Sequence, residues 1–347
     1  MTAEPAKTSR HSPWPLITAI GVLCIAGWAV PALLMAGRGF SVQDEGTYVL
    51  SYRWWDTNPY FISGSQYFYG PLFELVHERI WVLRVLRVVM VVAANGWFGW
   101  AFCRWLSEHR GIRLTWDARI GGTVLLTAAG GLAYLWTPLT PGYYDLEADA
   151  SLALVALLLI LLVRLDRPPV WIPALAGVVS FVLVMTKWPA VLVVLVTQVA
   201  ALLAVARSSR RGAWRYALAF PAGVVLAALA CQVLLFPLTR VLPVLRRVSA
   251  LTATENHSLS FLLGTYLRST GLFVLAAVLF AIPAVAAYLV ASRMLPAAAQ
   301  RYARPLVLAG VLATGVLVPL LSGWHGGDDR GRVMVAVVLA LLLAALV

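Results

Sequence analysis

The stretch PLITAIGVLCIAGWAVPALLMAGRGFSVQDE, residues 15–45, decides the fold class of this chain. Its first part, residues 15–36, is an uncharged apolar run, and a short polar segment then leads to two adjacent carboxylates, Asp44 and Glu45. A run of roughly 20 apolar residues is long enough to cross the hydrocarbon core of a bilayer as a helix. The stretch therefore predicts a membrane-spanning helix that ends near a pair of acids.

The whole sequence repeats this pattern. It is 61% hydrophobic and 12% charged, with a mean hydropathy of +0.84, whereas a soluble domain carries about 25% charged residues. Because helices satisfy their own backbone hydrogen bonds in lipid, we predict an all-α, polytopic transmembrane helical bundle of about ten helices. The predicted spans are 15–36, 80–103, 118–137, 148–164, 170–186, 189–206, 215–236, 271–291, 306–322 and 333–347.

The distribution of charge predicts how the chain is oriented. With residues 1–14 as a cytoplasmic tail, 15 of the 27 Lys and Arg residues fall inside and 11 of the 15 acidic residues fall outside. Basic inner loops are the usual arrangement in membrane proteins. The longer polar segments then lie outside: an aromatic-rich loop, a partly helical interfacial segment and two turns, at 37–79, 237–270, 138–147 and 323–332. We predict a single transmembrane domain over 15–347, in the plasma membrane, whose functional site faces outward.

Several function classes are disfavoured by the sequence. The net charge of +12 does not indicate nucleic-acid binding, because the basic residues fall in short tracts between apolar runs, as lipid-headgroup contacts do. The three cysteines lie singly inside apolar runs and form no disulfide framework. No Walker A motif, no dinucleotide-binding glycine motif and no HExxH or other metal-ligand spacing in a helix is present, so we do not expect ATP-driven pumping by this chain alone.

The acidic pair has two interpretations. Asp44 and Glu45 either mark the exit of the first helix into water, or include a carboxylate that is partly removed from water and acts as a general base. The aromatic residues that follow, among them Tyr67 and Tyr69, are typical of a membrane interface. Aromatic faces also provide platforms on which sugar rings stack.

The order of these features resembles the GT-C superfamily of membrane glycosyltransferases. A first helix is followed by Asp44-Glu45 and then by a loop that runs to Gly70-Pro71-Leu72-Phe73. The run that contains Arg84 and Arg87 resembles the second helix of that family. Shorter similarities are found at Pro141–Asp145, at Thr186-Lys187-Trp188-Pro189 and at Asp328–Arg332.

This resemblance implies transfer of a sugar from a polyprenyl-phosphate donor to a hydroxyl of a glycan, lipid or protein acceptor. It implies that Asp44 is the catalytic base, with Glu45 as its neighbour and substitute. The lipid phosphate would be bound by four cations, Lys187, Arg268, Arg330 and Arg332. The sugar or acceptor would be bound by Tyr67, Tyr69, Asp145 and Glu147.

Alternatives remain open at this point. Asp145, Glu147 and Asp149 could share one face of an extended turn and hold a divalent cation, or they could begin a helix and interact with its dipole. The protein could instead be a transporter or flippase of a lipid-linked or small anionic substrate, although the sequence has no clear internal duplication. It could also be a non-catalytic or truncated membrane protein, because the last apolar run, VMVAVVLALLLAALV, ends abruptly.

Overall fold

The computed structural model describes residues 12–247 except 40–43, 59–62, 110–113, 136–138, 166, 189, 237, 242 and 245. These residues lie in the first of two compact units, residues 1–248. The described residues form nine α-helices and one short 3-10 helix, without a strand. The all-α prediction is confirmed for this part of the chain. The spans predicted at 271–291, 306–322 and 333–347 lie outside the described residues, so the total of about ten helices stays a prediction.

The seven spans predicted before residue 237 are all helices in the structure. Their bounds are α1 Trp14–Leu34, α4 Ile80–His109, α5 Trp116–Leu135, α6 Tyr143–Val163, α7 Trp171–Thr186, α8 Ala190–Ser208 and α9 Arg210–Leu234. Among the described helices, α1, α4, α6 and α9 are long and apolar enough to cross a membrane. The chain therefore has the character of a membrane protein.

The long helices pack in an order that differs from their order in the sequence. α1 packs on α5, α5 on α4, α4 on α6, α6 on α7, α7 on α9 and α9 on α8. The largest buried cluster lies where α6 meets α7, with Leu157 and Leu161 packed near Ile172 and Leu183. In this packing order α4 and α6 are interior helices, each with a long helix on both sides.

Two glycines allow α7 and α9 to approach closely. A Cβ atom on Gly223 would overlap the carbonyl oxygen of Ala174, and one on Gly177 would overlap that of Phe220. Small residues at a crossing let two backbones come into direct van der Waals contact, which is a principal source of helix association in membranes. This crossing holds α9 against the rest of the bundle.

The segment predicted as an aromatic outer loop, 37–79, contains two short helices instead. They are α2, Asp44–Arg53, and α3, Gln66–Leu75, which pack on each other. In α2 the buried residues Glu45, Tyr48 and Tyr52 follow the i, i+3, i+7 spacing of a helix face. Burial of that face explains why the segment is helical although its composition is polar and aromatic.

The predicted interfacial segment 237–270 is described only at its start. Leu238–Arg240 forms a turn of 3-10 helix, next to the C-terminal end of α9. The remainder of the segment beyond residue 247 lies outside the described residues.

Candidate functional site

Polar side chains gather where the short helices α2 and α3 meet the ends of the long ones. The Tyr52 hydroxyl donates a hydrogen bond to the carbonyl oxygen of Pro141 at 2.6 Å, just before α6. The Ser63 hydroxyl, just before α3, donates to the carbonyl oxygen of Thr186 at 3.1 Å, where α7 ends. We call this region the polar end: α2 and α3, the C-terminal ends of α1, α5 and α7, and the N-terminal ends of α4 and α6.

Glu45 is held in the polar end by three donors. Its side chain is fully buried, and Oε1 accepts hydrogen bonds from Arg84 Nε at 3.0 Å and from the Thr140 hydroxyl. Arg84 Nη2 completes the ion pair at 2.9 Å from the same oxygen. A carboxylate oxygen occupied in this way is well suited to positioning α2, and less suited to the base or substitute role expected from the sequence.

Arg84 also fixes the chain that leaves α1. Nη1 donates to the carbonyl oxygens of Ala36 and Arg38, both at 2.8 Å, and Nη2 donates to that of Gly39 at 2.7 Å. Gly39 has φ +70°, a left-handed conformation that glycine adopts without steric cost. One guanidinium thus joins α1, α2 and α4. Asp44 is the first residue of α2, so its backbone begins at this junction, and its side chain lies outside the described residues.

A second buried ion pair joins α4 to α6. Arg87 Nε lies 2.6 Å from Asp145 Oδ1, and both side chains are almost wholly buried. Arg87 Nη2 also donates to the carbonyl oxygen of Tyr134 at 3.0 Å, and the guanidinium lies over the Tyr134 ring, 4.1 Å from its centroid. Asp145 Oδ2 accepts a hydrogen bond from the Gly142 backbone N–H at 2.8 Å. Of the two interpretations offered for this acid, the helix-start one is confirmed, because α6 begins at Tyr143.

A third ion pair is different, because water can reach it. Lys187 Nζ lies 2.9 Å from Glu147 Oε2, with side chains that are 37% and 28% exposed. The same ammonium lies 5.7 Å from the centroid of the Tyr144 ring. Lys187 follows the last residue of α7 in extended backbone, which agrees with the helix break predicted around it. Among the predicted site residues whose side chains are described, Lys187 and Glu147 form the most accessible charged pair.

The predicted sugar-binding tyrosines are largely packed. Tyr69 is 3% exposed, and its hydroxyl donates to Met90 Sδ at 3.7 Å. Tyr67 packs its ring on Phe236, with the centroids 4.4 Å apart. Burial raises the pKa of Tyr67 and holds those of Tyr69 and Tyr52 well above the usual value for a phenol, so all three hydroxyls stay protonated. They are available as neutral hydrogen-bonding groups and not as bases.

Close packing against glycine explains part of the motif at Gly70-Pro71-Leu72-Phe73. A Cβ on Gly70 would overlap the Trp55 side chain, and one on Gly64 would overlap the carbonyl oxygen of Met185. Both glycines therefore bring α3 close to its neighbours, α7 among them. Phe73 is buried in a cluster with Tyr48, Tyr52 and Tyr69.

Other predicted site residues are not brought together by the part of the chain that the structure describes. Arg268, Arg330 and Arg332 lie outside it. Within it, no group of three His, Cys, Asp or Glu residues has the arrangement of a metal site. Asp145 and Glu147 bind different cations, Arg87 and Lys187, and so do not share a ligand.

The residues that organise the site are Arg84, Arg87 and Thr140, none of which the sequence analysis singled out as site residues. Two arginines three residues apart in an apolar run were a usable signal, because a charge within a membrane helix demands a partner.

No family model, no curated protein and no solved structure matches this chain.

Proposed function

We propose that this protein is a GT-C-type glycosyltransferase that uses a polyprenyl-phosphate sugar, with its site at the polar end, on the outer face of a bacterial plasma membrane. The proposal is supported by the combination of a buried, ion-paired Glu45 next to Asp44 and an accessible cation at one end of an apolar bundle. Arg84 and Thr140 bind Glu45 and so fix the start of α2, where Asp44 lies, while the partly exposed Lys187–Glu147 pair lies at the same end.

The reaction requires a base and a cation. The bond between the anomeric carbon and the phosphate oxygen breaks, and its electron pair leaves with the polyprenyl phosphate. The acceptor oxygen forms the new bond to the anomeric carbon, and its proton passes to a carboxylate. In our proposal Asp44 receives this proton, because the neighbouring Glu45 is already occupied by Arg84 and Thr140.

Lys187 is the described residue best suited to the phosphate. An ammonium carries three N–H donors, of which Glu147 engages one, so a phosphate can accept from the others. The neighbouring Glu147 and Tyr144 keep this side chain oriented before the donor arrives. Arg268, Arg330 and Arg332 are proposed as further phosphate ligands, and the apolar helices as the surface that accommodates the prenyl chain. Of the four residues expected to bind the sugar or acceptor, Glu147 is partly exposed and is proposed to contact it, whereas the buried Tyr67, Tyr69 and Asp145 are proposed to support the site from behind.

The base is tested by Asp44→Asn. We expect the turnover number to fall by about 10²–10⁴-fold, because a carboxamide cannot accept the proton. The measurement is transfer from a panel of radiolabelled polyprenyl-phosphate sugars by purified protein. Glu45→Gln is the adjacent control: it should lower the melting temperature by weakening the Arg84 clamp, and the folded fraction should retain transfer. Wild-type turnover in the Asp44 variant would rule out its role as base.

The cation is tested by Lys187→Met. Because the Lys187–Glu147 pair is partly exposed, its loss should cost at most about 1 kcal/mol of stability. Donor binding should weaken by roughly tenfold or more, because a charge-assisted hydrogen bond is lost. Equilibrium binding of the labelled donor, with a parallel thermal melt, separates the two effects. Glu147→Gln keeps the cation and should bind the donor at least as tightly as the wild type. An equal loss of binding in both variants would indicate a structural role for the pair.

A transport assay, added to the transfer assay, distinguishes the glycosyltransferase from the transporter alternative. If no donor is turned over by the purified protein, while reconstituted vesicles move a lipid-linked or small anionic substrate in a Lys187-dependent way, the chain is a transporter.

A further inference from the structure

The end of the bundle opposite the polar end carries exposed arginines. α6 and α8 end there, at Val163 and Ser208, and α7 and α9 begin there, at Trp171 and Arg210. The connection between α6 and α7, the last turn of α8 and the first turns of α9 contribute six exposed arginines. We call them the arginine surface: Arg164, Arg167, Arg207, Arg210, Arg211 and Arg215.

The two connections are built against each other. Gly212 packs on Pro168, since a Cβ on this glycine would lie 3.2 Å from the proline ring atoms. The Gly212 backbone N–H donates to the Ser209 hydroxyl at 3.0 Å, which caps α9. The connection between α6 and α7 and that between α8 and α9 are therefore held together, and the arginines of both belong to one surface.

Among the described residues, none of these six arginines forms an ion pair with a carboxylate. Arg53, Arg84, Arg87 and Arg104 each form an ion pair with a carboxylate. The sequence contains no Asp or Glu between residues 167 and 254, and Asp166 lies outside the described residues. Six like charges held close together repel each other, so the surface favours a ligand that brings negative charge.

Exposed tryptophans flank the same surface. Trp171 is 50% exposed and Trp214 is 65% exposed, and both lie in the first turns of apolar helices. Tryptophan concentrates where a helix passes from hydrocarbon to headgroups. A ligand at this position meets arginine donors on the water side and the apolar surface of the helices on the other side. A phospholipid matches both, with its phosphate and its acyl chains, whereas a nucleic acid has no apolar chain for the second.

We infer that the arginine surface binds the phosphate groups of anionic phospholipids, with Arg210 and Arg211 as central contacts. Guanidinium groups match phosphate oxygens with paired donors, and each basic residue near an anionic surface adds to the affinity. This inference does not depend on the proposed transfer reaction, because the surface lies at the other end of the helices.

The test compares two pairs of adjacent exposed arginines in the full-length protein. Arg210→Gln/Arg211→Gln removes charge from the arginine surface, and the matched control Arg246→Gln/Arg247→Gln removes the same charge beyond the C-terminal end of α9. Binding of phosphatidylglycerol and of phosphatidylcholine to detergent-purified protein is measured by native mass spectrometry. Arg210→Lys/Arg211→Lys retains the charge and shows whether folding tolerates changes at these positions.

We expect phosphatidylglycerol to bind in preference to phosphatidylcholine, and its affinity to fall by roughly tenfold in the Arg210/Arg211 glutamine variant, with a much smaller change in the control and in the lysine variant. An equal loss in the two glutamine variants would show a general charge effect and overturn the inference. So would equal binding of the two lipids. Binding of a short RNA that depends on Arg210 and Arg211, without phosphatidylglycerol binding, would assign the surface to nucleic acid instead.

Discussion

Arg87→Met is expected to lower the free energy of unfolding by about 3–5 kcal/mol, because it leaves the Asp145 carboxylate buried without its cation. The guanidinium is 1% exposed, so water cannot replace it without opening the junction between α4 and α6. The variant also loses the hydrogen bond to the Tyr134 carbonyl oxygen. Reversible unfolding in mixed detergent micelles measures the change.

A double-mutant cycle with Asp145→Leu separates the pair from its surroundings. The double variant should recover a large part of the loss, since replacing both members of a buried pair with apolar residues is often nearly neutral. Arg104→Met is the matched control, because it breaks the partly exposed Arg104–Glu108 pair and should cost less than about 1 kcal/mol. If Arg87→Met and Arg104→Met lowered the free energy of unfolding equally, burial would not make the Arg87–Asp145 pair more important for stability than an exposed pair.

Gly223→Ala is expected to destabilise the bundle by about 1–3 kcal/mol, a large effect for the addition of one methyl group. The new Cβ would overlap the Ala174 carbonyl oxygen, a backbone atom that moves only if α7 and α9 separate. Gly177→Ala should act in the same direction, because its Cβ would overlap the Phe220 carbonyl oxygen.

The control for this prediction is Gly27→Ala in α1, where a Cβ would meet no atom within 4 Å. There the same chemical change should be neutral or stabilise by up to about 1 kcal/mol, because alanine favours the helix. Unfolding measured side by side compares the two positions. A neutral Gly223→Ala would mean that the α7–α9 crossing tolerates a wider spacing.

The long helices could be predicted from the sequence because hydrophobicity alone selects them. An apolar run such as 148–164 has one stable form in lipid, a helix, and α6 extends over Tyr143–Val163. α2 was not predicted, because its polar and aromatic composition suggested a loop. Its signal was the spacing of Glu45, Tyr48 and Tyr52, which the sequence contains but which composition does not reveal.

The candidate site was only partly predictable, because ion pairs depend on which helix ends meet. Glu45 pairs with Arg84, 39 residues away, and Asp145 with Arg87, 58 residues away. The packing of α4 on α6 decides the second pair, and the position of α2 beside the start of α4 decides the first. No local pattern encodes either.

Arg84 and Arg87 of α4 acquire their partners at different times during synthesis of the chain. The acceptors of Arg84 precede it in the sequence. The Glu45 carboxylate and the carbonyl oxygens that follow α1 are already made when α4 leaves the ribosome. Arg87 meets Asp145 only after 58 further residues have been added. A charge in a membrane helix is costly until it is paired. The pairing of these two arginines therefore needs two stages of synthesis, and a chain that stops before α6 holds Arg87 without its carboxylate.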